Sequence, residues 1–485
     1  MSLQEKSLSS VKWTALSSIV NALLQLLQLM ILARFLSAHD FGLIAILSVV
    51  IAFSQLFVDF GLSKAIIYKR NITHEQLSTL YWLNIILAII VYIVLFICSG
   101  YIARFYNEST LSTYILVLSA GLIIQSFGQQ YRTLFQKELQ FNILAKIDIF
   151  AAVVSFLFLI FFVMNNYGIY AFILPFLILV FLKTILLVLK GLKIHRPSFL
   201  LKLDDTKEFI SFGLYSVGND IVSTIGSQLD ILLIGKLLGT EALGIYNIMK
   251  EFILRPAQLI NPIITKVTFP LMAKLNHDIS EVQKVYLKVI NYTSSLNFPI
   301  YIASIVLAPE IISLFLGDKW LNGVLIFQIL AVWALLRSVG NPVGSLLMAL
   351  GKPNIEMYWN IGILIYTPVM LWITSKWGLI GISIGNTVSM FILFVPSWYF
   401  MIYKTCKIPL KNYIQSFLPP LLISIITGIV ISYFIYILDL NGVKKVLFAT
   451  IIGLILIIYF YRKFNYEFLN IIISLFQKKK VSDVS

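Results

Sequence analysis

Between positions 247 and 261 an otherwise apolar stretch carries Asn247, Lys250, Glu251, Arg255, Gln258 and Asn261. At 100° per residue these side chains share an arc of roughly 140° on one helix. Ionisable groups inside such a helix are costly and face a protein interior or a wet cavity. Lys250 and Arg255 have the chemistry to hold an oxyanion, the guanidinium in a bidentate fork. Gln258 adds a carboxamide beside them. Glu251 and Arg255 also form an i,i+4 pair, which locks a helix without any ligand. Both readings stand, because such a pair can open toward an anion. Arg337, one turn before Asn341 and Pro342, is a second candidate cation, in competition with a structural role at a proline-broken helix. Arg132 reads as an interfacial anchor with a snorkelling side chain.

Four carboxylates could carry coupling to protons or sodium: Asp59, Asp220, Asp230 and Glu251. Coupling needs a carboxylate whose charge changes or is neutralised during a cycle. An interhelical hydrogen bond explains each one equally simply. On the first apolar stretch Thr14, Ser17, Asn21, Gln25 and Gln28 share one face, and Gln55 lies on the second. With Gln125, Gln129 and Asn84 they could meet ligand hydroxyls or hold helices together. Catalytic and metal chemistry find no support. His39, His74, His195 and His277 fall in expected loops, and Cys98 and Cys406 have no disulfide or metal spacing. No G-x-x-x-x-G-K-[ST] phosphate loop occurs.

The elements that must position these residues are membrane helices. Hydrophobic residues make up 59% of the 485, and charged residues only 12%. That is roughly half the charged share of a soluble domain, so the outer surface must face lipid. Stretches of about 20 apolar residues recur fourteen times, the first over 11–36 and the last over 443–461. No cleaved leader is expected, because the polar start runs into a full-length apolar stretch. With the N-terminus inside, the inner loops gather most Lys and Arg. The outer loops keep only Arg34, Arg104, Lys236, Lys319, Lys376, Lys444 and Lys445. Cytoplasmic loops carry such an excess, so both termini are expected inside, in the cell membrane of a bacterium or archaeon. The net charge of +15 then reflects topology and excludes nucleic acid as the implied partner.

The two halves repeat. Offset by 202 residues, LARFLSAHDFGLIAI (32–46) falls on IGKLLGTEALGIYNI (234–248), with Gly42 on Gly244. Ser17, Asn21 and Gln28 fall on Asn219, Ser223 and Asp230, and Asp59 on Asn261. NYGIYA from Asn166 matches KWGLIG from Lys376 at an offset of 210. Six helices per half preserve orientation, which makes the halves parallel repeats about an axis along the membrane normal. The expected architecture is an all-α membrane protein of about fourteen transmembrane helices. A first lobe (1–192), a cytoplasmic linker (193–208) and a second lobe (209–404) precede two further helices and a basic tail (405–485). Pro256, Pro262 and Pro270 are expected to interrupt the eighth helix, Pro299 and Pro309 the ninth, and Pro342 the tenth. Residues 464–476 are expected along the inner membrane surface.

Three segments carry a family resemblance: ILARFLSAHDFGLIA at the first outer turn, DFGLSKAII from Asp59, and YRTLFQKELQFNILAKID from Tyr131. The chain resembles the multidrug/oligosaccharidyl-lipid/polysaccharide exporter superfamily, and within it the Wzx-type flippases of colanic acid or teichuronic acid exporter type. The resemblance implies a flippase that moves a polyprenyl-diphosphate-linked oligosaccharide to the outer leaflet by alternating access, with the last two helices adding a groove for the lipid tail. It implies no cofactor, and a glycan polymerase as a partner. The alternatives are an ion-coupled multidrug antiporter and a membrane glycosyltransferase or polymerase, the latter without a loop large enough for a catalytic site.

Overall fold

A computed structural model describes residues 3–69, 71–199, 202, 207–438 and 442–470. Asn219 and Lys207 lie in a helix, but their side chains fall outside the described set, as do Arg70 and the tail from 471 onward. Among the described residues the chain is helical and forms no strand.

The first half begins with α1 (Leu3–Phe35), α2 (Ala38–Asp59) and the short α3 (Leu62–Tyr68). Next come α4 (His74–Tyr106), α5 (Leu111–Lys137), α6 (Phe141–Met164), α7 (Tyr170–Gly191) and α8 (Lys207–Leu238). Local chemistry sets the ends. Ser37 caps α2 by accepting from the Asp40 amide while the Asp40 side chain accepts from the Ser37 amide. Thr73 and Gln76 make the same reciprocal box before α4. Between α2 and α3, Phe60 (φ 43°) and Gly61 (φ 68°) both turn left-handed, so the DFGLS segment breaks the helix.

The second half continues with α9 (Thr240–Lys274), α10 (Ile279–Val306), α11 (Ala308–Ile311), α12 (Val324–Gly340) and α13 (Val343–Ala349). It ends with α14 (Pro353–Thr374), α15 (Gly378–Ser397), α16 (Lys404–Cys406), α17 (Leu410–Ile437) and α18 (Gly442–Phe464). Four of the six expected proline breaks are absent outright. α9 runs unbroken through Pro256, Pro262 and Pro270, and α10 is likewise continuous through Pro299. A spanning helix tolerates proline when neighbouring groups satisfy the freed backbone. The α10–α11 junction at Leu307, two residues before Pro309, bends by 88°. Pro342 separates α12 from α13.

Among the described residues, eleven stretches are long and apolar enough to cross a membrane, or twelve if the bent α10–α11 pair counts as one. The expected count of fourteen is not reached by that measure. Two features reduce it: α9 is too polar to qualify, and Pro353–Cys406 forms one continuous stretch of 54 residues. At 1.5 Å per residue that stretch is far longer than one crossing, and a turn at Ser375–Trp377 with Gly378 at φ 66° interrupts it. Gly168 is left-handed too, in the turn before α7. Only glycine takes this conformation without strain.

Packing divides the chain into two compact units, 1–248 with 360–375, and 249–359 with 376–485. The division falls inside α9 and α14. In the first unit α5 packs on α4 and α7, α6 on α1 and α7, and α2 on α5 and α8. In the second, α10 packs on α12 and α17, α12 on α15, and α17 on α18. The outer faces are apolar and open. Leu447, Ile451, Leu454, Ile455 and Ile458 of α18 are all more than half exposed, the surface of a helix that meets lipid.

Candidate functional site

The break after Asp59 gives the first unit its polar interior. It brings Ser63 one turn beyond Asp59, where the Ser63 hydroxyl donates to the Asp59 carboxylate. From α5, the Gln129 amide donates to Asp59 (3.4 Å) and Ser63 (3.2 Å), and the Thr133 hydroxyl donates to Ser63 (3.0 Å). One helical face further round, Arg132 forks onto Asp148 of α6 at 2.9 and 2.8 Å. Lys183 of α7 approaches the same carboxylate at 3.3 Å. The Asp148 side chain is only 11% exposed, so its charge is balanced by two cations from the flanking helices.

Between these walls lies a cavity of about 400 Å³, lined by α2, α3, α5 and α7. Gln55, Gln125, Gln129 and Gln136 face it, with Arg132, Lys183, Thr133, Thr184 and Phe176. Among the described residues, the amides of Gln55, Gln125 and Gln136 are engaged by no protein group, so they present donors and acceptors to the space. Gly128 lets α5 approach α7: a Cβ there would meet the Thr184 backbone at 3.1 Å. The approach sets the cavity's width.

The remaining expected residues are spread more widely. Asn21 turns back on its own helix and donates to the Ser17 carbonyl at 2.7 Å. Gln25 is exposed and Gln28 half-buried, and neither lines this cavity. Asp220 pairs with Lys64 at 2.7 Å at a partly exposed site. Asp230 accepts from the Tyr246 hydroxyl at 2.8 Å and from the Ile231 amide. In the second unit, Glu251 and Arg255 form the expected i,i+4 pair at 2.8 Å, and Arg255 also reaches Gln258 at 3.4 Å. Lys250 is buried at 6% exposure. Asn261 accepts from the Asn297 amide at 3.0 Å. Arg337 lies 5.0 Å from the Trp333 ring centre, a cation–π contact. Of the residues read from the sequence as able to meet a ligand, Gln55, Gln125 and Gln129 face the polar cavity of the first unit, and Lys250, Arg255, Gln258, Arg337, Asn21, Gln25 and Gln28 do not.

Asp148 was missed by sequence reading, and with it the role of Arg132. The signal was present: these are the second and last residues of the YRTLFQKELQFNILAKID segment, and they meet as an ion pair.

The turn between α1 and α2 meets the turn between α8 and α9 in a reciprocal contact within the first unit. A Cβ on Gly42 would lie 1.9 Å from the Thr240 carbonyl oxygen, and one on Gly244 would lie 1.8 Å from that of Ala38. Residues 38 and 240, like 42 and 244, are 202 apart. Each turn therefore offers the other the same surface, as a local two-fold requires. Glu108 joins the turns, taking a hydrogen bond from Thr240 (2.6 Å) and pairing with His39 (2.8 Å).

A third feature is apolar. A groove of about 200 Å³ runs between α10, α17 and α18 in the second unit, where Ala303, Gly428, Ala449 and Gly453 leave room.

These features define a multi-pass α-helical membrane protein with the fold of the lipid II flippase MurJ in its inward closed conformation. That structure superposes with a TM-score of 0.75 at 14% identity, covering 93% of this chain and 99% of the other. The model of a polysaccharide biosynthesis protein family matches residues 31–325, and the chain belongs to that family. It is 33% identical to the teichuronic acid biosynthesis protein TuaB of Bacillus subtilis over 88% of this chain and 89% of the relative. It is also 33% identical to the lipopolysaccharide biosynthesis protein WzxC of Escherichia coli, over 89% and 88%. The resemblance to Wzx-type and teichuronic acid proteins read in the sequence is borne out by these relatives.

Proposed function

We propose that this protein is a flippase that carries a polyprenyl-diphosphate-linked oligosaccharide from the cytoplasmic to the outer leaflet by alternating access. The observation that carries this reading is the joint likeness to TuaB and WzxC, both named for polysaccharide biosynthesis, on the fold of a lipid II flippase. The chemistry agrees with it. Unengaged carboxamides suit sugar hydroxyls, and a small-residue groove suits an isoprenoid chain, which needs only apolar contact. Lys250, Arg255 and Arg337 supply charge for the diphosphate. Arg255 already holds a carboxylate in the fork geometry a phosphate oxygen would take. Asp59, whose partners Ser63 and Gln129 are neutral, is the carboxylate best placed to change charge with a proton or sodium ion. We place both termini in the cytoplasm, and a glycan polymerase remains a candidate partner.

The test is leaflet-resolved quantification of polyprenyl-diphosphate-linked glycan in cells with and without the gene. Loss of the gene should leave the glycan on the cytoplasmic side. The intact protein should reverse this, and an Arg255→Ala variant that still inserts should not. An unchanged leaflet distribution with normal surface glycan would remove the flippase reading.

A further inference from the structure

At the end of the long 353–406 stretch, two lysines are seated on aromatic rings. After α15 the helix widens into a π turn over Trp398–Tyr403 and ends in the short α16. Lys407 then takes the left-handed conformation (φ 58°) and the chain reverses into α17. In an α-helix, residues five apart lie about 140° apart around the axis. A π turn, with its i→i+5 bonds, brings them onto one face. Lys404 accordingly lies 5.3 Å from the Tyr399 ring centre as well as 4.7 Å from that of Phe400. Tyr399 stacks on Tyr403 at 5.9 Å, and Lys407 lies 5.4 Å from the Tyr403 ring centre. Trp398 pins the reversal by donating to the Ile408 carbonyl at 3.1 Å. Two ammonium groups are thus held on one pair of stacked rings.

No carboxylate balances these charges. The sequence has no Asp or Glu between Glu356 and Asp439. Among the described residues, Lys404, Lys407 and the nearby Lys411 hold no acidic side chain. By contrast, Lys284 and Lys288 of α10, in the same unit, each hold a glutamate, Glu281 at 2.8 Å and Glu467 at 2.5 Å. The three lysines are exposed, and so are Tyr399 and Phe400. Fixed positive charge beside open aromatic surface fits the headgroup layer of a bilayer, where aromatic rings settle and phosphate is the anion present. With both termini placed in the cytoplasm, this turn lies at the inner surface.

We propose that the α15–α17 turn is a docking surface for an anionic phospholipid of the inner leaflet. Lys404, Lys407 and Lys411 take the headgroup phosphate, and Tyr399 and Phe400 lie against the glycerol and upper chains. A phosphatidylcholine headgroup carries its own cation and gains little from three lysines, so the surface selects net negative charge. The proposal stands apart from the flippase reading, because it concerns the surrounding bilayer rather than the cargo. The cargo's phosphate groups offer similar charge, and the experiment separates the two sources.

Photoreactive lipids in nanodiscs around the purified full chain test this. The probes are phosphatidylglycerol, phosphatidylcholine and a polyprenyl phosphate, each with a diazirine close to the headgroup. The readout is the adduct yield on residues 398–411. Phosphatidylglycerol should label this segment about tenfold or more above phosphatidylcholine, since each lysine near an anionic surface contributes roughly a fivefold preference. Replacing all three lysines together, by Lys404→Gln, Lys407→Gln and Lys411→Gln, should bring phosphatidylglycerol down to the phosphatidylcholine level. The phosphatidylcholine yield should stay unchanged, whereas a misfolded variant would alter it too. Arginine at the same three positions should keep the preference. Equal labelling of the native protein by the two phospholipids, no adducts on this segment, or a preference that survives the triple glutamine substitution would each overturn the proposal. Stronger labelling by the polyprenyl phosphate than by phosphatidylglycerol would overturn it as well, and would assign the surface to the cargo.

Discussion

Single residues decide how the linker between α7 and α8 is held. His195 is buried against α4, facing Ser78 at 3.5 Å, while His74 reaches the Arg196 carbonyl at 3.0 Å. The two imidazoles stand 4.7 Å apart. Burial, and then the neighbouring His74, lower the His195 pKa to about 4. A base whose folded pKa is depressed docks best when neutral. The linker's attachment is therefore at full strength above about pH 6.5 and weakens as pH falls toward 4, where the unfolded chain binds a proton the folded one refuses. The full effect is about 3 kcal/mol. Hydrogen exchange of residues 193–199 should accelerate across that window, and His195→Gln should flatten the dependence. A pH-independent exchange rate in the native protein would count against this account. At the same scale, Gly191 faces Tyr131 so closely that a Cβ would lie 2.1 Å from the ring. This explains why α7 ends on glycine there.

At the scale of elements, the informative contact is the one between two turns. Gly42 and Gly244 each press on a carbonyl of the opposite turn, and any side chain at either position forces the same separation. Overpacking of this kind costs about 1–3 kcal/mol. Gly42→Ala and Gly244→Ala should each lower the unfolding temperature in detergent by similar amounts. The double variant should cost clearly less than the sum, because one separation relieves both clashes. Strict additivity would show that the contacts are independent. The break between α2 and α3 works in the opposite sense, since its irregular backbone frees Asp59 and Ser63 to meet α5. Such backbone is tolerated at membrane depth only where protein or water covers it, and here the polar cavity provides that cover.

For the molecule as a whole, the apolar groove and the polar cavity belong to different packing units and make separate demands. Filling the groove with Gly453→Phe should reduce transport of a lipid-linked glycan by tenfold or more. Binding of a water-soluble sugar to the first unit should stay unchanged. Loss of both together would mean the substitution disrupts the fold rather than the groove.

The sequence by itself determined the class of structure and the repeat. Hydropathy depends on composition over about 20 residues, and a membrane reads that composition directly. The 202-residue offset was legible because turn glycines and polar positions recur along with the apolar ones. The Glu251–Arg255 pair was legible because both members lie one turn apart on one helix. Tertiary structure alone decided the polar site. Arg132, Asp148 and Lys183 come from three successive helices, and at the level of sequence each cation is equally explained by its position near a helix end. Only the packing of α5 against α6 and α7 turns an interfacial anchor into half of a buried ion pair. Prolines behaved in the same way. Sequence marks where a backbone donor is missing, but the neighbours decide whether the helix breaks, as at Pro342, or continues, as at Pro256, Pro262 and Pro270.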